Sequence, residues 1–194
     1  MSQNDSSQNA QPVARTVAAA DHGKLDIQAL VLLAVLLAAG FILNFTVGKA
    51  ISGISGGLIS PEFIISAFCL TILVVRPSVG QALVIGLISA AVIQITTTSP
   101  FIDFAAEGIA AMLMALIVRV GMGSGAKKVV PLIGSFVTTA VSGVIFMLIK
   151  IAMVGAAGEL AAAMLPVVLL TAAFNAVLVQ ALYLPIRKAL KLAD

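Results

Sequence analysis

From Ile27 onward the chain is a series of apolar blocks separated by short polar, glycine-rich or proline-containing stretches. The first block runs from Ile27 to about Val47, with LVLLAVLLAAGFILNF at its centre. It is too long for a signal-peptide core and no clear small-residue cleavage site follows it, so it reads as a retained helix. The segment 48–60 holds four glycines and several serines and is expected to be a loop. Pro61 then opens PEFIISAFCLTILVV, a short block of about 15 residues ending at Arg76-Pro77; proline suits a first helical turn. The third block runs from about Ser78 to Thr97 and is broken by Pro100. The fourth extends from about Ile102 to Val120, the fifth from about Val130 to Val154. The sixth extends from about Leu160 to Leu184, with Pro166 near its start and Pro185 closing it. Blocks near 20 apolar residues match the thickness of a bilayer core. The expected fold is an all-α membrane protein, a bundle of six transmembrane helices over residues 27–187. Residues 1–26, rich in Ser, Gln, Asn and Ala, read as a disordered cytoplasmic tail, and 188–194 as a short basic end.

Composition narrows the function classes. Hydrophobic residues make up 61% of the 194 and charged ones 10%, too few polar side chains to cover the surface of a soluble enzyme. A disulfide scaffold is excluded, because Cys69 is the only cysteine. The net charge of +3 follows topology. With six spans and an internal N-terminus, the inner side carries Arg15, Lys24, Arg76, Arg119, Lys127, Lys128, Arg187, Lys188 and Lys191. The outer side carries Lys49, with Lys150 near the outer end of the fifth helix, nine cations against two. Both termini are therefore expected inside. No basic patch is interleaved with aromatics, which argues against nucleic acid as a partner.

Motifs for catalysis and metal binding are missing. His22, the one histidine, lies in the tail; no metal-ligand spacing and no G-x-S-x-G elbow occurs. The loop GMGSGAKK lacks the spacing of a phosphate-binding loop and follows no strand. No enzymatic activity, metal or cofactor is expected, and ATP, if used, is hydrolysed by another chain.

Polar residues inside the blocks are unevenly spread. Asn44, Glu62, Ser66, Gln94, Thr96–Ser99, Asp103, Glu107 and Lys150 fall in the outer halves of their helices, with Asn175 near mid-span. The inner halves are nearly all apolar apart from Thr138, Thr139, Ser142 and Gln180. Charges within a membrane usually mark a path or a site, so the asymmetry suggests an outward-facing cavity. Candidate substrate-binding residues are Asn44, Glu62, Gln94, Glu107, Lys150 and Asn175. An amine would pair with Glu62 or Glu107 and a carboxylate with Lys150. Each has a plainer reading. Glu62 sits where a helix dipole favours an acid, Asp103 is placed to be interfacial and solvated, and Lys150 can snorkel. Asn44 and Asn175 can tie helices together. Phe41, Phe45, Phe63, Phe101 and Phe104 lie at the same level, as stacking partners or as interface anchors. Small-x-x-x-small pairs, Ala34 with Ala38 and Gly86 with Ala90, allow close helix approach.

This array resembles the substrate-binding S-components of energy-coupling factor transporters, and is most similar to their tryptophan-transport branch. The segments carrying it are LVLLAVLLAAGFILNF, SPEFIISAFCLTILVVRPSVGQALVIGLISAAVIQITTTSPFID and LIGSFVTTAVSGVIFMLIKIAMVG. The resemblance implies a solute-capture subunit of the bacterial cytoplasmic membrane, for tryptophan or a related amino acid or vitamin. It implies partners in trans, a transmembrane coupling protein and two ATPases that drive toppling of the subunit. Ala34 and Ala38 would face the coupling protein, and the loop 48–60 would act as a lid. One departure is that Glu107 stands about where the tryptophan branch carries a lysine. Two other classes compete. A self-sufficient secondary transporter would use Glu107 and Lys150 as an ion or proton couple, although no inverted repeat is evident. A membrane scaffold without a solute would have no need for the polar cluster.

Overall fold

The computed structural model describes residues 25–191 apart from 96, 98, 125, 126 and 156. Nearly all of the tail and the last three residues lie outside them. Among the described residues the chain is all helical, six rods with no strand. α1 is Ile27–Ile54, α-helical except for a π-helical stretch over Asn44–Gly48. α2 is Phe63–Val75, α3 Val79–Ile93, α4 Ile102–Gly121, α5 Val130–Val154 and α6 Ala157–Ala189. Four of them, α1, α4, α5 and α6, are long and apolar enough to cross a membrane.

Several boundaries differ from the sequence expectation. α1 does not stop near Val47 but continues to Ile54, so the supposed loop 48–60 shrinks to the turn after Ile54. Gly48 is tolerated in the helix because it is packed against the backbone of Pro61 and the ring of Phe63. Both prolines of α6 lie inside the helix, which runs past Pro185 to Ala189. α3 ends at Ile93 rather than Thr97, because the residues after it are drawn into a side-chain network described below.

α2 is the centre of the structure. Every residue from Phe63 to Val74 is buried, and α2 touches each of the other five helices. Neighbours in the chain pack in pairs around it, α3 on α4, α4 on α5 and α5 on α6. Burial on all sides explains why α2 has no polar stripe: a helix apolar all round belongs in a core. Its C-terminus is fixed by Arg76 in the left-handed region (φ 55°), followed by Pro77, which cannot continue the helix. Ser78 and Gln81 then cap α3 reciprocally. The Gln81 amide donates to Ser78 Oγ at 3.4 Å, and the Ser78 amide donates to Gln81 Oε1 at 3.0 Å.

α1 lies at the periphery. Only Ala29, Leu33, Leu37 and Gly40 of its first segment are buried, one narrow stripe. Ala34 and Ala38 are on the exposed side. Two glycines set the closest helix approaches. A Cβ on Gly40 would stand 2.9 Å from the Phe63 carbonyl oxygen of α2. One on Gly86 would stand 2.6 Å from the Glu107 carbonyl oxygen and 2.8 Å from Ala111 Cβ, so α3 and α4 cross nearly backbone to backbone. Neither backbone can yield cheaply. Gly86→Ala and Gly40→Ala are therefore expected to destabilise the detergent-solubilised protein by about 1–3 kcal/mol. A lowered melting temperature should report this, whereas Gly53→Ala, where the added methyl meets nothing, should melt like the parent.

Candidate functional site

The site begins with a backbone problem. α2 starts inside the bundle, and the segment leading into it has amide groups, and at Ser60 a carbonyl, that no helix satisfies; the Glu62 carbonyl accepts the first bond of α2, from the Ser66 amide at 3.1 Å. Side chains satisfy them. The Phe63 amide donates to Asn44 Oδ1 at 2.8 Å. Asn175 of α6 grips Glu62 on both sides: it accepts from the Glu62 amide at 3.3 Å and donates to the Glu62 carbonyl at 3.1 Å. One turn away, Thr171 Oγ1 accepts from the Ser60 amide at 3.2 Å and donates to the Ser60 carbonyl at 3.1 Å. Thr171 and Asn175 are four apart, so they share a helix face. Together they hold Ser60–Glu62 much as a neighbouring strand would.

This clamp fixes Glu62 at the mouth of α2, beside a cavity of about 380 Å³. Its walls come from every helix but α2's far end: Asn44 from α1, Glu62 and Ile65 around the start of α2, and Ile93 and Thr97 at the end of α3. α4 supplies Asp103 and Glu107, α5 supplies Thr139, Ser142, Gly143 and Phe146, and α6 supplies Met164, Val167, Val168 and Thr171. All lie toward one end of the bundle. The cavity follows from the shortness of α2. Thirteen residues span about 20 Å, well short of the 25 residues of α5 and the 33 of α6 packed around it, so space is left beyond its N-terminus.

Three carboxyl groups face this space. Glu62 is partly buried, while Asp103 and Glu107 are 6% and 3% exposed. They are near enough for their charges to interact. Asp103 is not solvated, contrary to what its position at a helix start suggests. Gln94 holds it, donating from Nε2 to Asp103 Oδ2 at 3.3 Å while Oε1 accepts from the Phe101 amide at 3.0 Å. Glu107 Oε2 is buried with no hydrogen-bond partner.

The six sequence candidates thus separate. Asn44, Glu62 and Glu107 line the cavity. Gln94 stands behind Asp103, and Asn175, fully buried, stands behind Glu62 and reaches Thr139 Oγ1 at 3.5 Å. Lys150 is not a wall residue: its Nζ donates to Ser99 Oγ at 3.2 Å and lies 5.6 Å from the Phe146 ring centre. It makes no ion pair with Glu107. Asp103 and the hydroxyl band Thr139, Ser142 and Thr171 join the site instead. The sequence pattern assigns Thr139 and Ser142 to an apolar inner half, but the cavity reaches to the middle of α5. Among the described residues no group of acidic, histidine or cysteine side chains is gathered closely enough to hold a metal ion. Compared with protein-family models, with curated proteins and with solved structures, the chain matches none.

Asn175→Leu keeps side-chain bulk but strands the Glu62 amide, while the Glu62 carbonyl keeps the Ser66 amide at 3.1 Å. The expected cost is about 1–3 kcal/mol, read as a lower melting temperature in detergent. Faster hydrogen exchange at the Glu62 amide should accompany it, with exchange in the middle of α2 slowed as before.

Proposed function

We propose that the chain is a solute-capture subunit of an ATP-driven importer of the energy-coupling factor type, working with a coupling protein and ATPases supplied by other chains. The observation that carries this reading is the cavity at one end of the bundle, with polar walls and an unpartnered buried carboxylate oxygen. A scaffold gains nothing from leaving a buried carboxyl oxygen without a partner, since an unsatisfied buried polar group is costly. A cavity of about 380 Å³ suits a small organic solute.

In this reading all six helices span the membrane, the short α2 and α3 completed by the non-helical segments around them. The positive-inside distribution then sets both termini in the cytoplasm and the cavity toward the outside. The exposed face of α1, with Ala34 and Ala38 among larger apolar neighbours, serves as the docking face for the coupling protein. Small side chains there let a partner helix approach closely. The turn between α1 and α2 serves as the outer cover of the cavity.

A second reading is favoured by one observation, the buried and unpartnered Glu107, which would suit a proton-coupled carrier that works alone. Uptake of radiolabelled solute into cells separates the two. In the capture-subunit reading, Ala34→Trp with Ala38→Trp lowers uptake by an order of magnitude or more while the purified double variant binds solute like the parent. Unchanged uptake in the double variant, or uptake into vesicles holding this chain alone and driven by a proton gradient, assigns the carrier instead.

A further inference from the structure

The cavity's charge is one-sided. Glu62, Asp103 and Glu107 converge on it from α2 and α4, and no cationic side chain among the described residues is part of its wall. Lys150, on the wall-forming α5, is instead engaged by Ser99 and the face of Phe146. The carboxylates do not satisfy one another. Gln94 serves Asp103, but Glu107 Oε2, on a side chain 3% exposed, has no partner and lines the cavity. Three neighbouring carboxyl groups, with an open acceptor at the deepest member, ionise together only beside a donor that carries positive charge.

A bare metal ion does not answer the geometry. No acidic set among the described residues closes to metal-ligand spacing, and the space is many times the size of an ion. From α5 and α6 come the apolar Phe146, Met164, Val167 and Val168, beside the hydroxyls of Thr139, Ser142 and Thr171. Acids from α2 and α4 and largely apolar surface from α5 and α6, at a volume near 380 Å³, suit a molecule with an ammonium group at one end and an apolar or aromatic body at the other.

We infer that the solute is an organic ammonium cation lacking a carboxylate, its charged nitrogen held by Glu107, Asp103 and Glu62 and its apolar body against Phe146, Met164 and Val168. This inference rests on the solute-capture reading and narrows it. A zwitterionic amino acid would bring its own carboxylate into a cavity that already holds three and offers that carboxylate no cation. Charge-assisted hydrogen bonds supply the affinity, and repulsion of the second carboxylate supplies the discrimination.

Three indole compounds of nearly one size test it: tryptamine (a cation), tryptophan (a zwitterion) and indole-3-propionate (an anion). Binding to the purified full-length protein in detergent is read by calorimetry. Indole fluorescence gives a second signal, since the chain contains no tryptophan. The expected result is one-to-one binding of tryptamine, at least tenfold tighter than tryptophan, with no saturable binding of the propionate. Glu107→Gln and Asp103→Asn should each weaken tryptamine at least tenfold. Both replace a buried carboxyl by an amide of the same shape, so both should melt no lower than the parent, which separates lost binding from lost folding. Three results overturn the inference: tryptophan or the propionate binding as tightly as tryptamine, tryptamine binding indifferent to both substitutions, or no tryptamine binding at millimolar concentration. None of them decides the capture-subunit reading, which stands or falls on the Ala34 and Ala38 uptake experiment.

Discussion

The rest of the structure depends on how the start of α2 is satisfied. A thirteen-residue helix buried on every side begins inside a bundle of longer helices, where its leading amides and carbonyls have little access to water. In an apolar surrounding each unmet group costs several kcal/mol. Asn44, Thr171 and Asn175 meet the groups of Ser60, Glu62 and Phe63. Without them α2 would have to reach the surface to find partners, and the space beyond its end would close. With them, a short helix ends below the rim and a cavity stands above it, with the Glu62 side chain delivered to its wall.

The same economy appears on the facing side. Gln94 turns the α3–α4 connection by accepting from the Phe101 amide, and its other end holds Asp103. Gly86 lets α3 lie against the backbone of α4 at Glu107, which keeps that residue deep among its neighbours. Two polar side chains that touch no solute, Gln94 and Asn175, thus set the positions of two that would. The acids are held by packing and hydrogen bonds, while α5 and α6 add the apolar Phe146, Met164, Val167 and Val168 with a band of hydroxyls beside them. Carboxyl groups together with hydrocarbon make an arrangement for orienting an amphipathic molecule.

Much of this is legible in the sequence. Apolar block lengths give six helices, and α5 falls on the expected Val130–Val154. The concentration of Asn44, Glu62, Asp103 and Glu107 toward one end of their helices follows from the residue order alone, because antiparallel blocks put helix starts and ends at alternating levels. What periodicity misses is the reach of α1 through Gly48, since packing against Pro61 and Phe63 overrides the low helix propensity of glycine. It also misses the division of labour among the polar residues. Nothing local distinguishes Asn175, turned onto the backbone at Glu62, from Thr139 and Ser142, turned onto the cavity; the difference lies in contacts between residues far apart in the chain. Height in the membrane alone pairs Lys150 with Glu107, but its helix face carries it to Ser99. The Ser78-x-x-Gln81 capping box is a local signal that apolar block lengths pass over.

In the capture-subunit reading proposed above, this clamp holds a solute cavity open to the outer face of the membrane. Ser60→Cys tests it most directly. Ser60 lines the cavity and enters the clamp through its backbone, and the native Cys69 is fully buried, giving a silent background. A membrane-impermeant maleimide should label Ser60→Cys in intact cells, and a bound solute should slow that labelling. Labelling that appears only after the cells are permeabilised, or that solute leaves unchanged, would contradict the account.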